Sequence, residues 1–283
     1  MRKSSRTAIG VAALRAAHQL VDAEPRVLDD PVILRLLGIE TLDTIREDRE
    51  RYQTPGALAL RAHVVMRSRY AEDRLAQAIA RGVTQYVILG AGLDTFAYRQ
   101  PAWARNLRIV EIDRAPMQRE KRERLSLAQV FVPDNVAFGA IDFESESLRD
   151  GLTRYDVDVQ QPTFFSWLGV TMYLTENAVM SVLGDVASYA PGSEIVFTFA
   201  RVSSDGAVDD VTARLAEMAA SVGEPWRTYF DPDQLSEKLR AVGFNSVELL
   251  TPDEAARRYF TGRTDALPPP RWSSIVSAIV GGS

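Results

Sequence analysis

The 283-residue chain carries a formal net charge of −5 and no cysteine, which excludes disulfides, thiolate metal sites and a cysteine nucleophile. The negative balance offers no general attraction to nucleic acid or an anionic membrane surface, and no apolar run approaches the roughly 18 residues needed to span a bilayer. The composition suits a globular protein with a sizeable core, built as one large domain or two small ones.

The N-terminus, MRKSSRTAIGVAALRAAHQL, begins basic and turns apolar, superficially like a signal peptide. Arg15 and His18 interrupt the apolar stretch, and Ile9, Ala12, Ala13, Ala16, Ala17 and Leu20 recur at helical spacing. The segment therefore reads as an amphipathic helix of the mature protein. Asp29-Asp30-Pro31 caps a second helix, Val32 to Leu37, with proline near its first turn. Thr54-Pro55-Gly56 reads as a break, followed by a longer helix from Ala57 to Arg81 that ends at Gly82. Residues 1–82 show no strand and are expected to form a helical N-terminal cap.

From Gln85 onward strand and helix alternate. Strand candidates are Gln85–Leu89, Arg108–Ile112, Val136–Ile141, Thr163–Leu168, Glu194–Phe199, Ser246–Leu250 and Ser273–Ile279. The segments between the first five are long enough for crossover helices, which implies a parallel sheet. The basic run Arg114 to Arg124 is interleaved with Glu120 and Glu123 and reads as a solvated helix face. Helices are expected at Asp209–Val222 and Pro232–Val242, the latter ending at Gly243, and Pro268-Pro269-Pro270 is a stiff linker. Residues 83–283 would form the core, with a helical lid insertion at about 201–230.

The first strand ends in Gly90-Ala91-Gly92, followed by Leu93-Asp94-Thr95. A glycine turn at the carboxyl end of a buried parallel strand lets backbone approach a ligand closely, as in the nucleotide crevice of an open α/β sheet. A dinucleotide fingerprint needs a small residue where Thr95 stands, and no phosphate-binding lysine follows. S-adenosylmethionine (SAM), which has no phosphate, is the other candidate. Asp113 lies 21 residues after Gly92, at the end of the second strand. A carboxylate there can accept from both ribose hydroxyls, in SAM and NAD alike, or simply cap a helix. Asp142-Phe143 ends the third strand, where the acid could accept from the adenine amine while the ring covers a base face.

Arg67 and Arg69 precede the first strand, and either guanidinium could bind a carboxylate as a fork. The two histidines, His18 and His63, without cysteine make a poor metal set, and no G-x-S-x-G elbow is present. His63 stands four residues before Arg67, so both can share a helix face, where His63 could serve as a base or simply be packed. Tyr173 follows the fourth strand and could line a substrate pocket or the core.

The string LGAGLDT with Tyr98-Arg99 just after it, together with Arg6-Thr7-Ala8, Asp30-Pro31, the MYL at Met172–Leu174 and Tyr259-Phe260, resembles the leucine carboxyl methyltransferase family, in particular its bacterial branch of SAM-dependent O-methyltransferases. The resemblance implies an α/β fold of class I SAM methyltransferase type: a Rossmann-like, mostly parallel seven-stranded sheet closed by a hairpin-like pair, under a helical N-terminal cap. It implies SAM held by Gly90, Ala91, Gly92 and Asp94 at the turn, Asp113 with its neighbour Glu111 at the ribose, Asp142 with Phe143 at the adenine, and Arg67 at the carboxylate. One residue departs from the pattern: Leu168 stands where many relatives carry a glutamate that can contact the methionine moiety.

The implied reaction is in-line transfer of the sulfonium methyl to an oxygen of a small molecule such as a polyketide or other secondary metabolite. A carboxylate acceptor is already ionised near neutral pH and needs no base, whereas a hydroxyl would draw on His63 or Tyr173. Trp226, Tyr229 and Phe230 either line an apolar substrate pocket under the lid or pack the insertion onto the sheet. An NAD-dependent oxidoreductase and a non-enzymatic SAM-binding module are the alternatives; Thr95 counts against the first and Leu168 keeps the second open. A cytoplasmic protein without nucleic-acid or membrane partners is expected.

Overall fold

A computed structural model describes residues 5–281. Seven strands form one sheet: β1 Gln85–Leu89, β2 Arg108–Asp113, β3 Val136–Ala140, β4 Thr163–Trp167, β5 Glu194–Thr198, β6 Phe244–Leu249 and β7 Ile275–Val280. Their spatial order is β3-β2-β1-β4-β5-β7-β6. The first five run parallel, and β7 lies antiparallel between β5 and β6. The expected strands are all present, with ends shifted by no more than two residues. From β1 the chain winds outward to β3, then returns to start β4 on the other side of β1. Ligands of open α/β sheets bind outside the carboxyl ends at such a reversal, so the topology points to the ends of β1 and β4.

The helices are α1 Arg6–Val21, α2 Pro31–Leu37, α3 Ile39–Glu47, α4 Arg49–Tyr52, α5 Pro55–Ala80, α6 Ala115–Leu127, α7 Leu148–Thr153, α8 Glu176–Ala187, α9 Asp210–Ser221, α10 Pro232–Val242 and α11 Pro252–Ala255. Strands β1, β4 and β5 are buried at every position because helices cover both faces of the sheet. Trp167, Phe165 and Phe197 pack under α8 and α10 on one face, while Phe164, Tyr86 and Val196 pack under α5 on the other. Among the described residues no helix is long and apolar enough to cross a membrane.

Two sequence readings are corrected. Thr54-Pro55-Gly56 is a helix start rather than a break. Thr54 Oγ1 accepts from Ala57 N–H and Pro55 occupies the first turn of α5, where a proline costs no hydrogen bond. The basic run of α6 is not wholly solvated, because Lys121 is buried and lies 2.7 Å from the Glu111 carboxylate on β2.

A buried ionic network fixes α1 to the sheet. Arg15 donates to the Leu93 carbonyl at 3.1 Å and pairs with Asp30, the N-cap of α2. Asp30 accepts from the Thr95 hydroxyl at 2.7 Å and lies 3.4 Å from Arg99 Nε. Arg99 in turn donates to Glu72 of α5 at 3.0 Å. Burial pushes the Asp30 pKa up, but Arg15, Arg99 and the Thr95 bond outweigh it and hold the group below its ordinary value. Thr95, the residue that breaks the dinucleotide pattern, is thus a fully buried member of this network.

Candidate functional site

The glycine turn sits where the sheet reverses. Gly90 adopts φ +63°, and a Cβ there would lie 2.4 Å from Val170 Cγ2 in the loop after β4. Only glycine accommodates both the left-handed backbone and that approach. The turn is tied to its neighbour strand: Ala91 N–H donates to the Ile112 carbonyl at 2.9 Å and Gly92 N–H to Asp113 Oδ2 at 2.7 Å. Asp113 Oδ1 accepts from Arg114 N–H at 2.7 Å. Burial raises the Asp113 pKa against the pull of those two N–H groups and of Lys121. Asp113 therefore stands at the rim of the crevice, its carboxylate oriented by backbone on both sides. Asp94 accepts from Phe96 N–H at 2.8 Å, which closes the turn.

Arg67 comes from α5. It is only 9 % exposed and, among the described residues, makes no ion pair or hydrogen bond. A Cβ on Gly169 would lie 2.7 Å from both of its terminal nitrogens, so the outer edge of the guanidinium points at the glycine that follows β4. Burial holds its pKa down to about 10, although Tyr173 and Asp94 pull the other way. A guanidinium this deep with no anion beside it is a costly arrangement. It is the strongest sign in the molecule of a site built for an anionic ligand group. Arg69, the other sequence candidate, is half-exposed and bonds Asp73 at 2.8 Å, which takes it out of the site.

His63 precedes Arg67 by one helical turn. The residue is half-buried, and the surrounding protein and the Arg67 charge push its pKa down to about 3. The imidazole is neutral at ordinary pH and a weak base. Tyr173, in the short 3-10 turn after β4, is half-buried and close enough to Arg67 to act on its charge.

Two expected cofactor contacts are corrected. Glu111 is fully buried behind Asp113: Tyr98 donates to it at 2.7 Å and Lys121 pairs with it. Side chains alternate along a strand, so Glu111 shares Asp113's face but lies two residues deeper, supporting the rim without reaching it. Phe143 turns inward, its ring 5.7 Å from Trp167 in an edge-to-face contact within the core. Its partner Asp142 stays half-exposed and accepts from Glu144 N–H at 3.2 Å. Phe230 is core as well, at 4 % exposure, whereas Trp226 and Tyr229 remain half-buried with ring centres 6.1 Å apart. Leu168 packs against the apolar cluster beneath α5, so no carboxylate occupies that position. Among the described residues no group of three or more potential metal ligands gathers.

A residue that sequence reading missed is Glu224, which follows α9 and accepts from Ser5 Oγ at 3.0 Å, Arg6 N–H at 3.0 Å and Thr7 N–H at 3.2 Å. More than two hundred positions separate the partners, and no local pattern links them.

Comparison with known proteins bears on the family and the fold. The family model described as leucine carboxyl methyltransferase matches residues 8–187. The chain is 30 % identical over 292 residues to YktD of Bacillus subtilis (strain 168), named as a candidate S-adenosyl-L-methionine-dependent methyltransferase, covering 94 % of this chain and 95 % of that one. It is 29 % identical over 263 residues to a similarly named protein of Frankia alni, covering 88 % and 85 % of the two chains. Among solved structures, a candidate methyltransferase from Thermobifida fusca superposes with a TM-score of 0.57 at 17 % identity, covering 96 % of this chain and 94 % of that one. A DUF574 family protein from Streptomyces avermitilis superposes with a TM-score of 0.55 at 17 % identity, covering 95 % and 97 %. At that identity the likeness establishes a shared fold.

Proposed function

The chain belongs to the leucine carboxyl methyltransferase family and is a SAM-dependent methyltransferase, and from that premise we propose that it transfers the methyl group to an oxygen of a small-molecule acceptor, with a carboxylate preferred over a hydroxyl. The observation that carries the reading is Arg67, a buried guanidinium without a protein anion beside it, set against Gly169 at the end of β4. SAM presents a matching set of groups: an α-carboxylate for the Arg67 fork, ribose hydroxyls for Asp113 and an exocyclic amine for Asp142. Gly90, Ala91 and Gly92 supply the close backbone wall, and Asp94 closes the turn by accepting from Phe96 N–H.

When bound, SAM supplies an activated methyl group with its own leaving group, so positioning and exclusion of water are the tasks left to the protein. Asp142 and Arg67 would hold the two ends of the cofactor and Asp113 the ribose between them. Tyr173, Trp226 and Tyr229 offer aromatic surface beside the loop after β4, suited to an acceptor with an apolar body. The preference for a carboxylate rests on His63: with its pKa near 3 it is a poor acceptor for a phenol or alcohol proton, while an ionised carboxylate needs none.

Calorimetric titration with SAM and S-adenosylhomocysteine, followed by labelled methyl transfer to a panel of carboxylic acids and phenols, tests the proposal. Arg67→Met is expected to weaken binding of both adenosyl ligands by about 1.5–3 kcal/mol, the worth of a hydrogen bond to a charged group. Unchanged affinity in the folded variant removes Arg67 from the site. Transfer to phenols alone overturns the carboxylate preference.

A further inference from the structure

The first turn of α1 is held from across the molecule. Besides Ser5 Oγ and the Arg6 and Thr7 N–H groups, the Thr7 hydroxyl also donates to Glu224, in a short contact. The backbone donors belong to the set that a helix start leaves without intrahelical partners, and a carboxylate complements the positive end of the helix. Through α1 this contact reaches the crevice. Ala8 Cβ lies 3.7 Å from where a Gly92 Cβ would stand, and two turns further on Arg15 bonds the Leu93 carbonyl.

The segment that carries Glu224 is otherwise lightly attached. Helix α9 buries only Thr212 and Ala219 and leaves Val211 and Met218 exposed. Beyond Glu224 the chain returns to the crevice loop, where Arg227 N–H donates to the Met172 carbonyl at 2.7 Å. A loosely packed insertion is thus fastened by one carboxylate to the helix that overlies the glycine turn. Segments with few buried contacts open locally at low free-energy cost.

We propose that Glu224 is a positioning residue for the cofactor, a latch that keeps the first turn of α1 over Gly92, so that cofactor exchange requires its release. The proposal rests on the reading that places the cofactor at the glycine turn. Glu224 acts through α1 and touches no reacting atom.

The test is stopped-flow association and dissociation of S-adenosylhomocysteine on the full chain, alongside thermal unfolding. In Glu224→Gln both rate constants are expected to rise, dissociation on the order of tenfold or more, because a charge-assisted acceptor of several donors is lost. The thermal midpoint should stay within about 3 °C of the parent. Thr7→Val, which removes one donor at nearly constant volume, should move both rates the same way by a smaller factor, and it decides the matter if Glu224→Gln does not fold. A variant that merely loosens the fold would lower the midpoint and slow association, and that result overturns the latch. Exchange within twofold of the parent in both variants overturns it as well. Asp113→Ala is the control: if it binds S-adenosylhomocysteine as tightly as the parent, the glycine-turn site itself fails and the latch falls with it. If Asp113→Ala binds weakly while the latch variants exchange normally, only the latch fails.

Discussion

At the scale of single residues, the site is marked by charges whose surroundings do not match their sequence neighbourhood. Arg67 and Arg69 look alike in Met66-Arg67-Ser68-Arg69-Tyr70. A helix turns them about 200° apart, so one is buried against Gly169 and the other lies on the surface beside Asp73. His63 shares the buried face with Arg67, and there burial and a like charge keep it neutral. Its pKa falls from about 6.5 to about 3 on folding. Between those values the unfolded chain binds a proton that the folded chain refuses, so the His63 contribution to stability is fully present above pH 6.5 and is lost as pH falls toward 3. Replacing His63 with Gln should flatten the decline of denaturant-measured stability across that window. The rate of methyl transfer should show no inflection near pH 6.5 that disappears in the same variant; such an inflection would return His63 to the role of base.

At the scale of elements, the loop after β4 matters as much as the glycine turn after β1. Gly90 faces Val170, and Gly169, at φ +76°, faces the Arg67 guanidinium. The two loops therefore approach one another across the crevice, with only the Val170 side chain seated against Gly90. Gly169→Ala forces a methyl group to within 2.7 Å of the Arg67 nitrogens and strains the left-handed backbone. It should weaken SAM binding by at least tenfold, through displacement of Arg67, while the far-ultraviolet circular dichroism spectrum of the folded protein is retained. An affinity equal to the parent's would show that Arg67 need not rest on Gly169. The glycine string after β1 was legible in sequence because it follows an apolar strand directly. Gly169 carried no such mark, since its need for glycine arises from a side chain 102 positions away.

At the scale of the whole molecule, α1, α2 and α5 are joined to the sheet through Arg15, Asp30, Arg99, Glu72 and Thr95. Asp30 has no exposed surface and Arg15 only 4 %. Removing one partner of a buried pair leaves the other charge uncompensated, which costs about 3–5 kcal/mol. Asp30→Ala should therefore lower the stability measured by urea unfolding by an amount of that order. It should also weaken cofactor binding, since Thr95 and the Leu93 carbonyl hold the glycine turn through the same network. A loss below about 1 kcal/mol would mean that solvent reaches the network. Glu224 adds a second junction between distant parts of the chain, this one at the surface of the crevice.

The sequence by itself determined the seven strands, the helices α1, α2, α9 and α10, and their order along the chain. Strands buried on both faces are continuous apolar runs, helix starts announce themselves by Ser, Thr or Asp caps, and glycine turns are composed of glycine, so each is written within a few neighbouring residues. Asp113 and Asp142 were legible for the same reason, as acids ending the second and third strands. Tertiary structure alone decided which charges are free. Glu111 is consumed by Lys121 and Tyr98, and Arg69 by Asp73, whereas Arg67 is left without an anion. Whether a buried charge is compensated depends on side chains brought together from remote positions, and Coulomb and hydrogen-bond energies fall off over a few ångströms of space with no regard to separation along the chain.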